Sequence, residues 1–290
     1  GAYRLIEAPK PKLKLAQRRI LDEILSKVPL HPACHGHRRG RSIKSYASEH
    51  TGRAQLLTLD LCEFFNRITE ARVRAIFASL GYNDDVAPLL AGLCCAPTPE
   101  DVLATRPRPI DSHDARIAQR AVLRDSHLPQ GAPTSPALAN LAAFRLDVRL
   151  SALAAHFDAR YGRYADDLAF SGDRRLLAVT PLFPDWVTAI AREEGFVVRS
   201  EKTRSMPRAQ RQTVCGIVVN ERPSLQRREL ERLEAILFNC VRHGPAAQNR
   251  EGVGDFRSHL LGRIAWVRHL TPARAERLGA LFAQIAWESG

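Results

Sequence analysis

Tyr161-Gly162-Arg163-Tyr164-Ala165-Asp166-Asp167-Leu168-Ala169-Phe170-Ser171-Gly172 carries the most distinctive local pattern in the chain. Two short apolar and aromatic runs, each long enough for a strand, flank an Asp-Asp pair. That pattern predicts a β-hairpin with the carboxylates at or beside its turn. Adjacent acids repel one another and favour turns over strand interiors. The pair makes chemical sense if a doubly positive ion sits there. Oxygen ligands from one or two Asp suit Mg²⁺, which keeps its remaining shell for water and substrate phosphates. A solvated Asp-Asp turn without a ligand is the other reading of this stretch taken alone, so the rest of the chain has to decide.

The chain has 290 residues, enough for one large core or two modest ones. Its 43 Lys and Arg against 31 Asp and Glu leave a formal charge of +12, which points to a polyanionic partner, nucleic acid before membrane. No apolar run reaches the ~18 residues of a membrane span. No signal-peptide pattern is present, and the opening Gly1-Ala2 in place of Met leads us to expect residues upstream. The six cysteines (Cys34, Cys62, Cys94, Cys95, Cys215, Cys240) have no C-x-x-C spacing and are expected to be buried thiols of a cytoplasmic protein. Cys34-His35-Gly36-His37 looks like a metal cluster but has no second ligand pair at zinc spacing.

Outward from the hairpin, Gln55-Leu56-Leu57-Thr58-Leu59-Asp60 reads as a buried strand that delivers a carboxylate at its end. Upstream, Ala2 to Pro9 is strand-like, and a helix follows with Leu13, Ala16, Ile20, Ile24 and Val28 on one face. His35-Gly36-His37-Arg38-Arg39-Gly40-Arg41 is a glycine-punctuated basic loop, able to bring guanidinium forks to phosphates or else simply solvated. The proline-rich stretch 96–128 is expected to be an elaborated surface insertion with a short basic helix near Ala115 to Leu123. Leu128-Pro129-Gln130-Gly131-Ala132-Pro133-Thr134-Ser135-Pro136 is a turn-rich loop entering a helix that is predicted to run to about Phe157, with Ser135 as N-cap and Pro136 at N1. Beyond the hairpin come a helix around Pro184 to Glu194, a strand Phe196 to Arg199, Lys202, and a strand Thr213 to Asn220 interrupted by Gly216. From Pro223 onward the chain reads as helical, rich in Arg and His, with Trp266 and Trp287. Its arginines suit either a nucleic-acid backbone or a plain solvated face.

In this order, a strand-end Asp60, a Gln-Gly-x-Pro-Thr-Ser-Pro loop, a Tyr-Ala-Asp-Asp hairpin, Lys202 and a glycine-bearing strand before a helical tail resemble the reverse-transcriptase family over nearly the whole length. The resemblance implies an α+β right-hand polymerase, its palm a small antiparallel sheet packed on helices and its C-terminal thumb helical. The fingers would be residues 1–55 and 71–135, the palm 56–70 and 136–221, and the thumb 222–290. It implies RNA-directed DNA polymerisation with two Mg²⁺ ions, or Mn²⁺ as substitute, held by Asp60, Asp166, Asp167 and the Leu61 carbonyl. By the same resemblance Lys202 serves the leaving pyrophosphate, Phe65 is a steric gate against a ribose 2′-OH, and Arg38 and Arg41 clamp the triphosphate. Gln130 and Gly131 would line the nucleotide pocket, while Tyr164, Val214-Cys215-Gly216 and Arg263 would face nucleic acid.

Within the family the chain is most similar to bacterial retron enzymes. Their Asn-Ala-x-x-His element corresponds to Tyr46-Ala47-Ser48-Glu49-His50, with Tyr for Asn, and their Val-Thr-Gly element to Val214-Cys215-Gly216, with Cys for Thr. A retron-type enzyme implies a structured non-coding RNA as primer and template, an RNA–DNA hybrid, dNTPs, a branched product, and an effector protein in anti-phage defence. Group II intron and diversity-generating enzymes are the alternative relatives, and a catalytically idle nucleic-acid-binding protein is the alternative function.

Overall fold

A computed structural model describes residues 5–105 and 113–287. The chain divides into two compact units, one formed by Gly1–Ser42 and Leu57–Ser205, the other by Ile43–Leu56 and Met206–Gly290. The segments expected as fingers and palm therefore fall largely in the first unit, while 43–56 and 206–221 group with the helical tail. Among the described residues no helix is long and apolar enough to cross a membrane.

The architecture is α+β, as the sequence implied. A four-stranded sheet carries the strands β1 (Gln55–Asp60), β2 (Arg160–Tyr164), β3 (Asp167–Gly172) and β4 (Arg204–Pro207) in the order β2-β3-β1-β4. β1 is a near-continuous apolar run because Leu56, Leu57 and Leu59 are all buried, the signature of a strand covered on both faces. β2 and β3 pair antiparallel from Arg160↔Ser171 to Tyr164↔Asp167, which leaves Ala165-Asp166 as a two-residue turn. Leu57, Leu59, Leu168 and Phe170 share the core of this unit with helix residues Leu138, Leu146, Leu150, Phe183 and Val187. At about 25 cal/mol per Å² of apolar area, such burial is the main force holding sheet to helices.

Several expectations are corrected here. The helix predicted from Ser135 to Phe157 is two helices, Ser135–Ala142 and Phe144–His156. Arg72 breaks it by donating to the Ala142 carbonyl (2.6 Å) and to that of Glu194 (2.8 Å), drawing away an acceptor that a continuous helix would use internally. Thr134 rather than Ser135 is the N-cap residue, because the Ser135 hydroxyl turns back to donate to the Pro129 carbonyl at 2.7 Å. Phe196 to Arg199 is not a regular strand. It passes the end of β1 with one isolated bridge, Leu61↔Val198, before a 3₁₀ turn at Ser200–Lys202. Residues 5–9 form no strand either, and their helix runs Pro11–Glu23 with a 3₁₀ turn at Leu25–Lys27. In the insertion, helices Glu100–Thr105 and His113–Arg124 rise from a closed base in which Ala96 and His127 exchange backbone hydrogen bonds of 3.1 and 3.3 Å. Pro107 and Pro109 lie outside the described residues.

In the second unit, the predicted strand Thr213 to Asn220 is a tight hairpin of β5 (Thr213–Val214) and β6 (Ile217–Val218). Cys215 (φ +46°) and Gly216 (φ +81°) are both left-handed, the requirement of a type I′ turn, which a β-branched reading of the run could not foresee. Three helices, Arg227–His243, Phe256–Leu270 and Pro272–Ala283, enclose Leu230, Leu233, Leu237, Leu260, Ile264, Val267 and Leu278. The i, i+3, i+7 spacing of the first set is the apolar stripe of a bundle helix. Tyr46 and His50, both buried, meet edge to face at 5.4 Å, so the Tyr that replaces Asn in the retron-like element is a packed ring.

Candidate active site

Asp60 stands where β1 runs out of its buried register. Two backbone hydrogen bonds fix that end: the Leu61 N–H donates to the Asp166 carbonyl at 2.9 Å, and the Arg199 N–H donates to the Asp60 carbonyl at 2.7 Å. The first of these ties the strand end to the hairpin turn, so residues 105 positions apart in sequence become neighbours. Asp167 opens β3 opposite Tyr164. Ala165, ahead of Asp166, holds φ at +55°, a conformation that disfavours any residue with a Cβ by roughly 1–2 kcal/mol. Only a well-determined surrounding keeps it there.

The Asp60 carboxylate is held by cations. Lys202 Nζ donates to Oδ1 at 2.9 Å, and Arg199 Nε lies 3.7 Å from Oδ2 while also donating to the Cys62 sulfur at 3.5 Å. Thus the structure brings together Asp60, Leu61, Asp166, Asp167 and Lys202. The oxygens on offer are three carboxylates and the Leu61 carbonyl, the chemistry of a hard divalent cation. Among the described residues no three His, Cys, Asp or Glu side chains form a ready metal cage. Mg²⁺ does not need one, since it commonly binds through one or two carboxylates and completes its shell with water and substrate phosphates. These oxygens would suit a hard divalent cation whose shell is completed by water and substrate phosphates.

Arg38 Nη1 donates to the carbonyls of His31 (2.9 Å) and Cys34 (3.3 Å), so part of its fork is spent closing its own loop. Arg41 is exposed. His37, left-handed at φ +53°, places its ring 6.5 Å from that of Phe65 and 6.4 Å from that of Tyr164. Its surroundings lower the imidazole pKa by desolvation, with the Asp166 charge pulling the other way. Phe65 is half-buried and edge-on to Phe64 at 5.5 Å, on the turn that follows Asp60.

Gln130 and Gly131 meet the N-terminal segment. The Glu7 N–H donates to the Gln130 carbonyl at 2.9 Å, and a Cβ on Gly131 would stand 3.2 Å from the Glu7 carbonyl oxygen. The Glu7 carboxylate is pinned in turn by the Thr98 hydroxyl at 2.6 Å and His127 Nε2 at 3.2 Å. Burial, the largest single influence, would raise the Glu7 carboxyl and lower the His127 imidazole. Their mutual hydrogen bond and charge attraction, with Thr98 and the Gln130 backbone on Glu7 and Asp125 on His127, together outweigh it, so Glu7 is lowered and His127 raised.

In the second unit, Val214 is a buried core residue, and Cys215 and Gly216 form the hairpin tip. Arg263 is half-buried on helix Phe256–Leu270, where desolvation and Arg232 lower its pKa against the pull of Glu229 and Glu251.

Sequence reasoning missed a buried frame behind the turn. Arg163 is fully buried and bidentate to Asp147, with Nε 2.8 Å from Oδ1 and Nη2 2.7 Å from Oδ2. Its Nη1 donates to Asn140 Oδ1 at 3.0 Å and to the Ala165 carbonyl at 3.1 Å, and the Tyr161 hydroxyl donates to Asp147 Oδ1 at 2.8 Å. Burial works against the Arg163 charge, but Asp147 more than offsets it and the guanidinium pKa is raised. The signal was present in the spacing. Ala143, Asp147, Leu150 and Ala154 lie on one helical face, and an acid on an apolar face requires a partner. Arg199 was also missed, since nothing local announces it, and His37 was noticed only as part of a metal-like cluster and a basic loop.

Residues 1–219 match the family model described as reverse transcriptase (RNA-dependent DNA polymerase). The chain is 43% identical over 289 residues to the retron Mx65 reverse transcriptase of Myxococcus xanthus, covering 96% of this chain and 61% of that protein. It is 33% identical to the retron Mx162 reverse transcriptase of the same organism, covering 98% of this chain and 58% of that one. The retron Ec86 reverse transcriptase of Escherichia coli is 32% identical, covering 80% of this chain and 63% of its own length. The chain thus spans about three fifths of the length of these relatives.

Proposed function

The chain belongs to the reverse transcriptase family, and from that premise we propose that it is an RNA-directed DNA polymerase of the retron type. The observation that carries the reading is the Leu61 to Asp166 backbone bond, which sets the strand-end Asp60 beside the Asp166-Asp167 turn with Lys202 on its carboxylate. In the reaction a primer hydroxyl oxygen attacks the α-phosphorus of a dNTP, and the bond to the β-phosphate breaks to release pyrophosphate. Catalysis of this kind is positioning and charge neutralisation. Divalent ions, when bound, lower the charge of the phosphates and assist loss of the hydroxyl proton.

The protein's own groups supply the rest. Asp60, Asp166 and Asp167 present the oxygens that bind the ions, with the Leu61 carbonyl at the same strand end. Lys202, half exposed beside Asp60, would neutralise charge on the departing pyrophosphate. The Phe65 ring closes the sugar site against a 2′-OH, and Arg38 and Arg41 on the basic loop face the triphosphate. Gln130 and Gly131 line the nucleotide side; Tyr164, the Cys215-Gly216 tip with Val214 beneath it, and Arg263 serve the nucleic acid. The net charge of +12 suits an RNA–DNA hybrid.

The identity to retron enzymes supports a structured non-coding RNA as primer and template, a branched RNA–DNA product, and a role in anti-phage defence with an effector protein. Primer extension on an RNA template with Mg²⁺ and dNTPs tests the activity, comparing wild type with the Asp166→Asn, Asp167→Asn double variant. Product from wild type alone is expected; equal product from both overturns the site, and no product from either favours an idle relative. Sequencing of RNA co-purified from native cells tests the retron assignment, with one dominant structured RNA joined to DNA as the expected result.

A further inference from the structure

The two peptide groups that flank Asp166 are each held, one on either side of its Cα. On the inner side Arg163 Nη1 donates to the Ala165 carbonyl at 3.1 Å; on the other the Leu61 N–H donates to the carbonyl of Asp166 itself at 2.9 Å. The same Arg163 nitrogen reaches Asn140 Oδ1, and Asn140 Nδ2 donates to the Gly36 carbonyl at 2.9 Å. Gly36 leaves no space above the turn: a Cβ there would lie 2.5 Å from the Ala165 nitrogen. The backbone repeats the connection, with the His35 N–H donating to the Arg163 carbonyl and the Arg163 N–H to that of Ala33, each at 2.8 Å. One buried guanidinium therefore links the helix pair around Ala143, the start of the basic loop and the left-handed turn.

We propose that Arg163, acting with Asp147 and Asn140, is a positioning residue that aims the Asp166 carboxylate and locks the basic loop to it. The proposal rests on the reading of Asp166 as a catalytic carboxylate. Two features argue for aiming over stability alone. A buried ion pair kept only for stability can be replaced by apolar side chains of similar size with little loss. Here the guanidinium has a second duty no apolar group can perform, donation to the carbonyl of a residue in a conformation disfavoured for L side chains. Groups that orient metal-binding side chains from behind are commonly worth 10- to 100-fold in affinity or rate.

The test replaces the pair by apolar groups, Arg163→Met with Asp147→Leu, and separately makes Asn140→Leu. Three quantities are read: thermal melting, kcat and KM for dNTP in primer extension, and Mn²⁺ binding by electron paramagnetic resonance with a chain-terminated primer and dNTP present. The double variant is expected to melt cooperatively near wild type, to lose about 100-fold in kcat with KM little changed, and to bind Mn²⁺ about 10-fold more weakly. A folded double variant with wild-type kcat and Mn²⁺ affinity overturns the proposal. If the double variant does not fold, Asn140→Leu decides, with about 10-fold lower kcat expected and unchanged kcat and Mn²⁺ affinity overturning it. Asp166→Asn distinguishes the two failures: wild-type turnover in that variant removes the catalytic reading itself.

Discussion

Asp147 and Asp60 each meet a cation at hydrogen-bond distance, Arg163 at 2.7 Å and Lys202 at 2.9 Å, yet the two pairs do opposite work. The first is sealed, with both side chains at 0% exposure; in the second, Lys202 is 51% exposed and Asp60 12%. A sealed pair cannot exchange its cation without leaving a charge stranded in a medium that penalises it heavily. In the half-open pair Lys202 can depart at little cost, because its ammonium passes into water while Arg199 stays 3.7 Å from the Asp60 carboxylate. The sealed pair is suited to hold a frame, whereas the half-open pair leaves Lys202 able to move. Ion-pair distance says nothing about this difference; burial decides it.

The sharpest way to break the comparison is Asp60→Asn. Turnover in primer extension is expected to fall at least about 1000-fold, since several kcal/mol of transition-state charge stabilisation are lost. Urea unfolding of the same variant should stay within about 1 kcal/mol of wild type. Arg163→Ala inverts the pattern, stranding Asp147 and costing about 3–5 kcal/mol of stability in the same titration. A smaller loss would mean that water reaches the sealed side. Phe65→Ala, on the open side, is expected to relax discrimination against rNTPs by about 10- to 100-fold in competition assays, as removal of a steric wall should. Unchanged rejection of rNTPs would move the gate elsewhere. Lys202→Ala should alter urea stability by less than about 1 kcal/mol, the contrast with Arg163→Ala being the point of the measurement.

The smallest effect concerns the pair of intermediate exposure, Glu7 and His127. His127 is raised from its ordinary 6.5, so its contribution is complete below 6.5 and fades as pH climbs through the raised value. Glu7 is lowered from 4.5, so its contribution holds above 4.5 and fades as pH falls through the lowered value. The melting-temperature gap between wild type and Glu7→Gln should therefore be widest between 4.5 and 6.5 and narrow toward alkaline pH. A gap that does not vary with pH would mean that the Thr98 contact alone holds this segment.

Both sides of the comparison were unequally visible in the sequence. The open side was legible because strand-end carboxylates, a tight Asp-Asp turn and a following lysine are local patterns with recognisable chemistry. The sealed side was overlooked because Arg163 sits within the quoted stretch as one polar residue in a strand, and Asp147 as one acid in a helix. In the basic loop the arginines drew attention, and the structure adds His37, whose ring lies 6.5 Å from that of Phe65 and 6.4 Å from that of Tyr164.

What the sequence determined by itself is whatever short-range spacing encodes: the β2–β3 hairpin, the buried run ending at Asp60, the bundle helices, and the order of motifs that marks the family. Only the tertiary structure decided the break at Ala142–Phe144, the left-handed Cys215-Gly216 turn, the closed base of the insertion, and which cation each aspartate receives. Lys202 and Asp60 are 142 residues apart, and Arg72 and Glu194 are 122 apart. Hydrophobic period is a property of neighbouring residues, whereas a charge is satisfied by whatever the fold brings near it, and that is set by packing of the whole core.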